Sequence, residues 1–76
     1  MSDIRTLAEL PTGERACVSS LTSTGISRQR MLDLGIVPDT IIEAVLESPS
    51  GGVTAYLIRG ALIAIRREDA QQIIIY

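Results

Sequence analysis

The chain has 76 residues and one cysteine, so it is long enough for one small domain and cannot close an internal disulfide. Its basic residues are all arginines, and its net charge of −2 argues against general nucleic-acid binding. Only Tyr56 and Tyr76 are aromatic, so the chain lacks the stacking platforms that single-stranded nucleic acids need.

The first elements in chain order are a short lead-in, a turn and a strand. Residues 6–10 are expected to form a helical turn or an extended segment, and residues 11–13, Pro-Thr-Gly, are typical of a turn. Residues 14–21 predict a strand, because Ala16 and Val18 alternate with more polar neighbours.

A short helix follows this strand. Thr24 or Ser27 is suited to cap its N-terminus, and the helix is expected to run to Leu34. Gly35 then takes the position after the helix, where a left-handed conformation is common, and Pro38 prevents the helix from resuming. Gly35 and Pro38 are therefore predicted to form a structural corner.

The helix periodicity separates a core face from an outward face. The residues expected to pack on the core are Ile26, Met31 and Leu34. Arg30 lies on the same face of the helix, and the methylene groups of its side chain are expected to pack along the edge of the core while its guanidinium group stays in solvent. Arg28 and Leu32 are expected to point outward.

The C-terminal half predicts three strands in succession, a helical turn and a last strand. The predicted strands are residues 40–47, 53–58, 61–66 and 72–76, and the helical turn is residues 67–71. Arg59 and Gly60 alone join two of these strands, which indicates a tight hairpin turned at Gly60. The fold class expected for residues 1–76 is therefore mainly β: one domain, a small closed or nearly closed barrel of about five strands with one short helix.

The residue inventory predicts no catalytic, cofactor or metal site. Without histidine, a Cys17 nucleophile would lack its usual partner, and without lysine no phosphate-binding loop can be built. Transition metals prefer cysteine and histidine ligands, and the adjacent Glu68 and Asp69 are expected to lie in solvent. Arg28 and Arg30 could hold a phosphate or carboxylate group, but a structural or solvated role is favoured.

The residues at the start of the chain lack the apolar core of a signal peptide. The longest apolar runs, ALIAI and IIIY, are far shorter than the roughly 20 residues of a membrane-spanning helix. A soluble cytoplasmic protein is therefore expected.

Short motifs in a fixed order run through nearly the whole chain. They are Arg28, Arg30, Met31, Leu34-Gly35, Ile36, Pro38, Pro49, Gly51, Arg59-Gly60, Ile65-Arg66, Ala70, Ile73 and Ile75. Their order and spacing resemble the FeoA family, small accessory proteins of bacterial ferrous iron uptake, whose domain also occurs at the C-terminus of iron-dependent repressors. Three positions depart from the family pattern: Asp39 replaces a glycine, and Gly52-Val53 replaces Asp-Pro.

The resemblance implies an SH3-like barrel, a role in ferrous iron transport and no catalysis. It also implies binding to the cytoplasmic GTPase region of the membrane permease. Transition-metal binding is a family-level property for which this sequence offers few ligands. A nucleic-acid-binding SH3-like module and a stand-alone metal-sensing or metal-binding domain remain as alternatives.

Matching the strands to the family pattern assigns alternate residues to the barrel interior. The inward set is Ile42, Ala44, Leu46, Tyr56, Ile58, Ile63, Ile65, Ile73 and Ile75. The outward set is Ile41, Val45, Leu57, Leu62, Ile74 and Tyr76, with Leu32 on the helix. We expect this apolar surface to mediate self-association, docking on the permease, or both. The candidate partner-binding residues are Arg28, Leu32, Leu57, Leu62, Ile74 and Tyr76.

Overall fold

The computed structural model describes residues 5–76, which form six strands, two α-helices and one 3-10 helix. In chain order these are β1 (Arg5–Thr6), the 3-10 helix (Leu7–Glu9), β2 (Arg15–Leu21), α1 (Gly25–Asp33), β3 (Ile41–Glu47), β4 (Val53–Ile58), β5 (Ala61–Arg66), α2 (Arg67–Ala70) and β6 (Ile73–Ile75). The mainly β class with one short principal helix is confirmed. Residues 6–10 contain both of the expected forms, because the end of the extended β1 is followed by the 3-10 helix. No helix within residues 5–76 is long and apolar enough to cross a membrane.

All strand pairs are antiparallel, and they build one sheet in the order β1-β6-β2-β3-β4-β5. Among residues 5–76, β1 and β5 are the two edges, so the small barrel is not closed by hydrogen bonds between them. β4 and β5 are joined by the predicted two-residue hairpin. Arg59 and Gly60 both have positive φ angles, 51° and 82°, as the tightest antiparallel hairpins require.

The core lies on one side of this curled sheet and draws on nearly every element. Its fully buried members include Leu7 from the 3-10 helix, Ile36 from the turn after α1, and strand residues such as Ile42, Ile58 and Ile73. The prediction for the strand interior is confirmed at Ala44, Tyr56, Ile65 and Ile75, and Ile63 packs against the same cluster while half-buried.

The predicted burial of Leu46 is wrong, because its side chain is 66% exposed. A β-bulge between Ala44 and Leu46 inserts Val45 as an extra residue in β3. One extra residue moves every later side chain to the opposite face of a sheet. Leu46 therefore lies opposite Ala55 on the outside of the sheet.

The predicted core face of α1 is correct only at Met31. Ile26 is 83% exposed, and Leu34 is also exposed. Met31 is buried and accepts a contact from the buried hydroxyl of Ser23 at 3.4 Å. The helix therefore touches the core at one place near its C-terminal end, because a nine-residue helix beside so small a sheet does not need a continuous apolar stripe.

The chain turns sharply between α1 and β3. Gly35 has a φ of 89°, the left-handed conformation expected after the helix. Asp39, which replaces the family's glycine, has a φ of 73°, a value that aspartate tolerates better than most residues. The Thr40 hydroxyl donates a 3.2 Å hydrogen bond to the Gly35 carbonyl, which holds the two ends of the corner together.

Candidate partner-binding face

The outside of the β3–β5 region carries a continuous set of apolar side chains. The strand register places Leu57 directly opposite Leu62 and Ala55 directly opposite Ala64. The bulge in β3 adds Leu46 beside Ala55. We call the following residues the outer apolar face: Leu46, Val53, Ala55, Leu57, Leu62 and Ala64.

The outer apolar face is open to solvent. Leu62 is 61% exposed, and Leu57 and Val53 are exposed by more than a third. A shallow trough of about 380 Å³ runs along it, between the β3–β4 loop at Pro49 and the alanine pair. Adjacent exposed apolar residues on a small soluble domain are typical of a surface that a partner covers.

Charged residues border this face on two sides. Glu43 lies opposite Leu57 in the β3–β4 register, and Arg66 lies opposite Val53 in the β4–β5 register. Glu47 lies beside the trough. An apolar centre with a charged margin is the usual anatomy of a protein–protein interface.

Two of the predicted partner-binding residues, Leu57 and Leu62, meet on the outer apolar face as a cross-strand pair. The other four lie elsewhere. Arg28 is exposed on α1, and its guanidinium group donates a 3.4 Å hydrogen bond to the Leu21 carbonyl. This bond connects α1 to the end of β2. Leu32, expected to point outward, is half-buried.

Ile74 and Tyr76 lie at the other end of the sheet, on and just after β6. Ile74 lies in β6, between β1 and β2 in the sheet, and is half-buried, not fully outward as expected. Tyr76 is 65% exposed and exchanges two backbone hydrogen bonds with Cys17. Cys17 in turn pairs with the exposed Ile41, so a second, smaller apolar area lies there.

Sequence reasoning missed four members of the outer apolar face: Leu46, Val53, Ala55 and Ala64. Leu46 was assigned to the interior because strict alternation ignores the bulge at Val45. No residue in β3 signals a bulge, since the strand contains no glycine, the residue that often marks one. Only the pairing with β4 reveals it.

The two tyrosines have different surroundings. Burial raises the pKa of the Tyr56 phenol, whose hydroxyl donates to the Leu7 carbonyl at 3.3 Å. The pKa of Tyr76 is also raised, chiefly because its hydroxyl donates a 2.5 Å hydrogen bond to the Asp39 carboxylate. Both phenols are therefore neutral donors at neutral pH, and Tyr76 anchors the end of β6 to the turn before β3.

Residues 5–76 bring no three His, Cys, Asp or Glu side chains together in a group that could hold a metal ion. Cys17 is a free, half-buried thiol in β2.

The open, curled antiparallel sheet with one short helix defines the chain as a small SH3-like domain. The family model described as the FeoA domain matches residues 5–76. The chain belongs to the FeoA family, and the resemblance carried by its ordered motifs is confirmed.

Three relatives show the extent of this similarity. A fusion of Fe(2+) transport protein A with the Fe(2+) transporter FeoB from Porphyromonas gingivalis is 34% identical over 67 residues. That match covers 88% of this chain and 8% of the fusion protein, so this chain corresponds to a small part of it. The solution structure of FeoA from Chlorobium tepidum is 30% identical with a TM-score of 0.88, covering 95% of this chain and 69% of that one. The FeoA of Stenotrophomonas maltophilia, solved in complex with zinc and described as a prokaryotic SH3 domain protein, is 25% identical with a TM-score of 0.83, covering 95% of this chain and 89% of that one.

Proposed function

We propose that this chain is a non-catalytic, cytoplasmic accessory module of bacterial ferrous iron transport that binds the cytoplasmic GTPase region of an iron permease. Membership of the FeoA family supports the role in transport. The Porphyromonas gingivalis relative, in which the two proteins are fused, supports the permease as the partner. Fusion holds two modules at high effective concentration, whereas separate chains need a binding surface of their own.

The observation that carries the proposal is the outer apolar face. Leu57 and Leu62 lie side by side in solvent, and Leu46 continues the surface across the alanine pair. Burying one leucine side chain fully contributes about 1.5–3 kcal/mol, so a few such residues can support a specific complex. The same face is available for self-association, which competes with docking on the permease.

The test is binding of the purified permease GTPase region to Leu62→Asp, with Ile26→Asp as a matched control. Both changes place a carboxylate on a strongly exposed apolar residue, but Ile26 lies on α1 and is not a member of the outer apolar face. We expect Leu62→Asp to weaken binding at least about tenfold, a loss of ~1.4 kcal/mol. Ile26→Asp should bind as the unchanged chain does, and circular dichroism should show both variants folded.

Unchanged binding by folded Leu62→Asp would exclude the outer apolar face as the interface. Weakened binding by Ile26→Asp alone would move the interface to α1, around Arg28. Sedimentation of each variant without the permease shows whether the same face holds copies of this chain together.

Direct metal binding is a second candidate function, favoured by the zinc complex of the Stenotrophomonas maltophilia relative. Against it, residues 5–76 contain no cluster of three metal-ligating side chains. We therefore place it second.

A further inference from the structure

The two edges of the sheet are protected very differently. β1 has two residues, one of them Arg5, whereas β5 has six and begins with the uncharged run ALIAI. Sheet edges are usually blunted by charged residues, proline, a bulge or short length. The register of β4 and β5 is regular from Ile58 to Val53, and none of these devices occurs between Ala61 and Ile65.

The hairpin determines which backbone groups of β5 face outward. A two-residue turn makes its flanking residues, Ile58 and Ala61, a hydrogen-bonded pair, and every second pair beyond it is hydrogen-bonded too. The Arg67 amide continues this series by donating to the Gly52 carbonyl at 3.0 Å. The residues between these pairs turn their N–H and C=O groups away from β4: Leu62, Ala64 and Arg66.

A groove lies along this free edge. It has a volume of about 230 Å³ and is lined on one side by Ala64, Ile65 and Arg66. Its other wall is formed by α1 and the residue that follows it, and Arg30 and Leu34 line that wall. A volume below about 300 Å³ is small for a drug-sized ligand, but an extended chain needs only a narrow trough beside the strand that it joins.

The charges of the groove are mainly positive. Arg30 and Arg66 line it and are exposed, and neither guanidinium donates a hydrogen bond within residues 5–76. The Arg28 and Arg59 guanidinium groups, by contrast, donate to backbone carbonyls of the domain. Asp69 is the one carboxylate that lines the groove.

We propose that the free edge of β5 accepts an extended segment of a partner protein as an added antiparallel or parallel strand, and that this segment carries an acidic side chain for Arg30 and Arg66. Its backbone would pair with the outward N–H and C=O groups of Leu62 and Ala64 and with the N–H of Arg66, whose C=O is used by the first turn of α2. These backbone hydrogen bonds supply affinity for any sequence, and the carboxylate supplies specificity. The identity of the partner rests on the proposed function, because we expect the permease's cytoplasmic region to supply the segment.

A second copy of this chain fits the groove less well. Its own β5 would bring the uncharged run ALIAI and then Arg66 and Arg67, so it offers no carboxylate within the strand itself to meet Arg30 and Arg66. Like charges brought together at an interface disfavour association.

Amide hydrogen exchange, followed by NMR on the full chain, measures strand addition directly. In the free chain, the amides of Leu62, Ala64 and Arg66 should exchange at least about tenfold faster than those of Ile63 and Ile65, which pair with β4. Adding the permease's cytoplasmic region should slow the three outward amides by about tenfold or more.

A matched pair of variants tests the same contact by affinity. Ala64→Pro removes one outward N–H and leaves the hydrogen bonds to β4 in place, which an edge strand tolerates. Ala64→Ser keeps that N–H. Both variants change the side chain that Ala64 presents on the outer apolar face, but only Ala64→Pro removes the N–H. We therefore expect Ala64→Pro to bind about tenfold more weakly than Ala64→Ser. If Ala64→Pro does not fold, the exchange measurement and Arg66→Gln, which should also weaken binding, decide the question.

The outcomes separate this inference from the proposed function. If the permease region binds but leaves the three outward amides unprotected, the inference is wrong and the proposed function stands.

If the region does not bind, the proposed function fails, and two pentapeptides then test the groove by itself. Thr-Val-Glu-Val-Thr carries the acidic side chain, and Thr-Val-Lys-Val-Thr is its matched control. Protection by the glutamate peptide alone supports the inference, and protection by neither overturns it. Protection that arises in the chain alone, together with a dimer in sedimentation, would assign the edge to a second copy and overturn the inference.

Discussion

The Arg59 side chain lies directly over Gly35. Its Nε donates a 3.2 Å hydrogen bond to the Gly35 carbonyl, and its second terminal nitrogen donates to the Thr40 hydroxyl at the same distance. A Cβ atom on Gly35 would stand 3.0 Å from Cδ of Arg59. Two motifs that lie 24 positions apart in the sequence therefore form one contact, in which the β4–β5 hairpin holds the corner after α1.

Gly35→Ala should destabilise the fold for two reasons that a double-mutant cycle can separate. A left-handed alanine costs roughly 1–2 kcal/mol, and the new methyl group would also press on Arg59. In an Arg59→Ala background the second cost disappears, so the penalty for Gly35→Ala should fall but not vanish. Urea unfolding of the four proteins measures the coupling; exact additivity would mean that the two residues do not share a contact.

The bulge in β3 predicts very different losses of folding stability when two aliphatic residues of this strand are truncated. Ile42→Ala should cost about 2–5 kcal/mol, because this side chain is fully buried. Leu46→Ala should change the free energy of unfolding by no more than about 0.5 kcal/mol, because Leu46 lies in solvent. Urea unfolding compares them directly, and a large penalty for Leu46→Ala would show that β3 continues without the bulge.

The Tyr76–Asp39 hydrogen bond should stabilise the fold in a pH-dependent way. Because the pKa of Tyr76 is higher in the folded than in the unfolded chain, this stabilisation is complete below the ordinary tyrosine pKa of about 10. It is lost as the pH rises through the folded value. The difference in free energy of unfolding between the unchanged chain and Tyr76→Phe should therefore be constant near neutral pH and decline above pH ~10.

Asp39→Asn is the control for this prediction. Asparagine keeps the shape of the side chain and tolerates the positive φ at this position, but it removes the charge. A tyrosinate absorbance titration should show a lower pKa for Tyr76 in this variant. An unchanged titration would mean that Asp39 does not act on Tyr76.

Ferrous iron should not bind tightly to the isolated chain. Oxygen ligands would have to come from carboxylates that residues 5–76 do not gather into a group, and no histidine is present in the sequence. Anaerobic calorimetry should show no stoichiometric high-affinity site, and Cys17→Ser should behave as the unchanged chain does. A tight site that Cys17→Ser abolishes would instead make the β2 thiol a ligand.

The sequence alone determined the local features of this protein. Glycines after a helix and in a two-residue turn require left-handed angles, and so Gly35 and Gly60 could be placed from chemistry that extends over only a few residues. Alternation likewise located Ala16 and Val18 in the interior of β2, because the period of two holds wherever a strand is regular. The match to the family pattern chose the inward residues of β4 and β6. The order of the motifs identified the family.

Tertiary structure decided what depends on pairing between distant segments. The bulge at Val45 is a feature of the pairing between β3 and β4, and it turns Leu46 outward against the alternation. The position of α1 beside the sheet left Ile26 and Leu34 exposed, although helix periodicity grouped them with Met31. The free edge of β5 is a property of the strand order, which local sequence does not encode, and so the groove beside it emerged only from the fold.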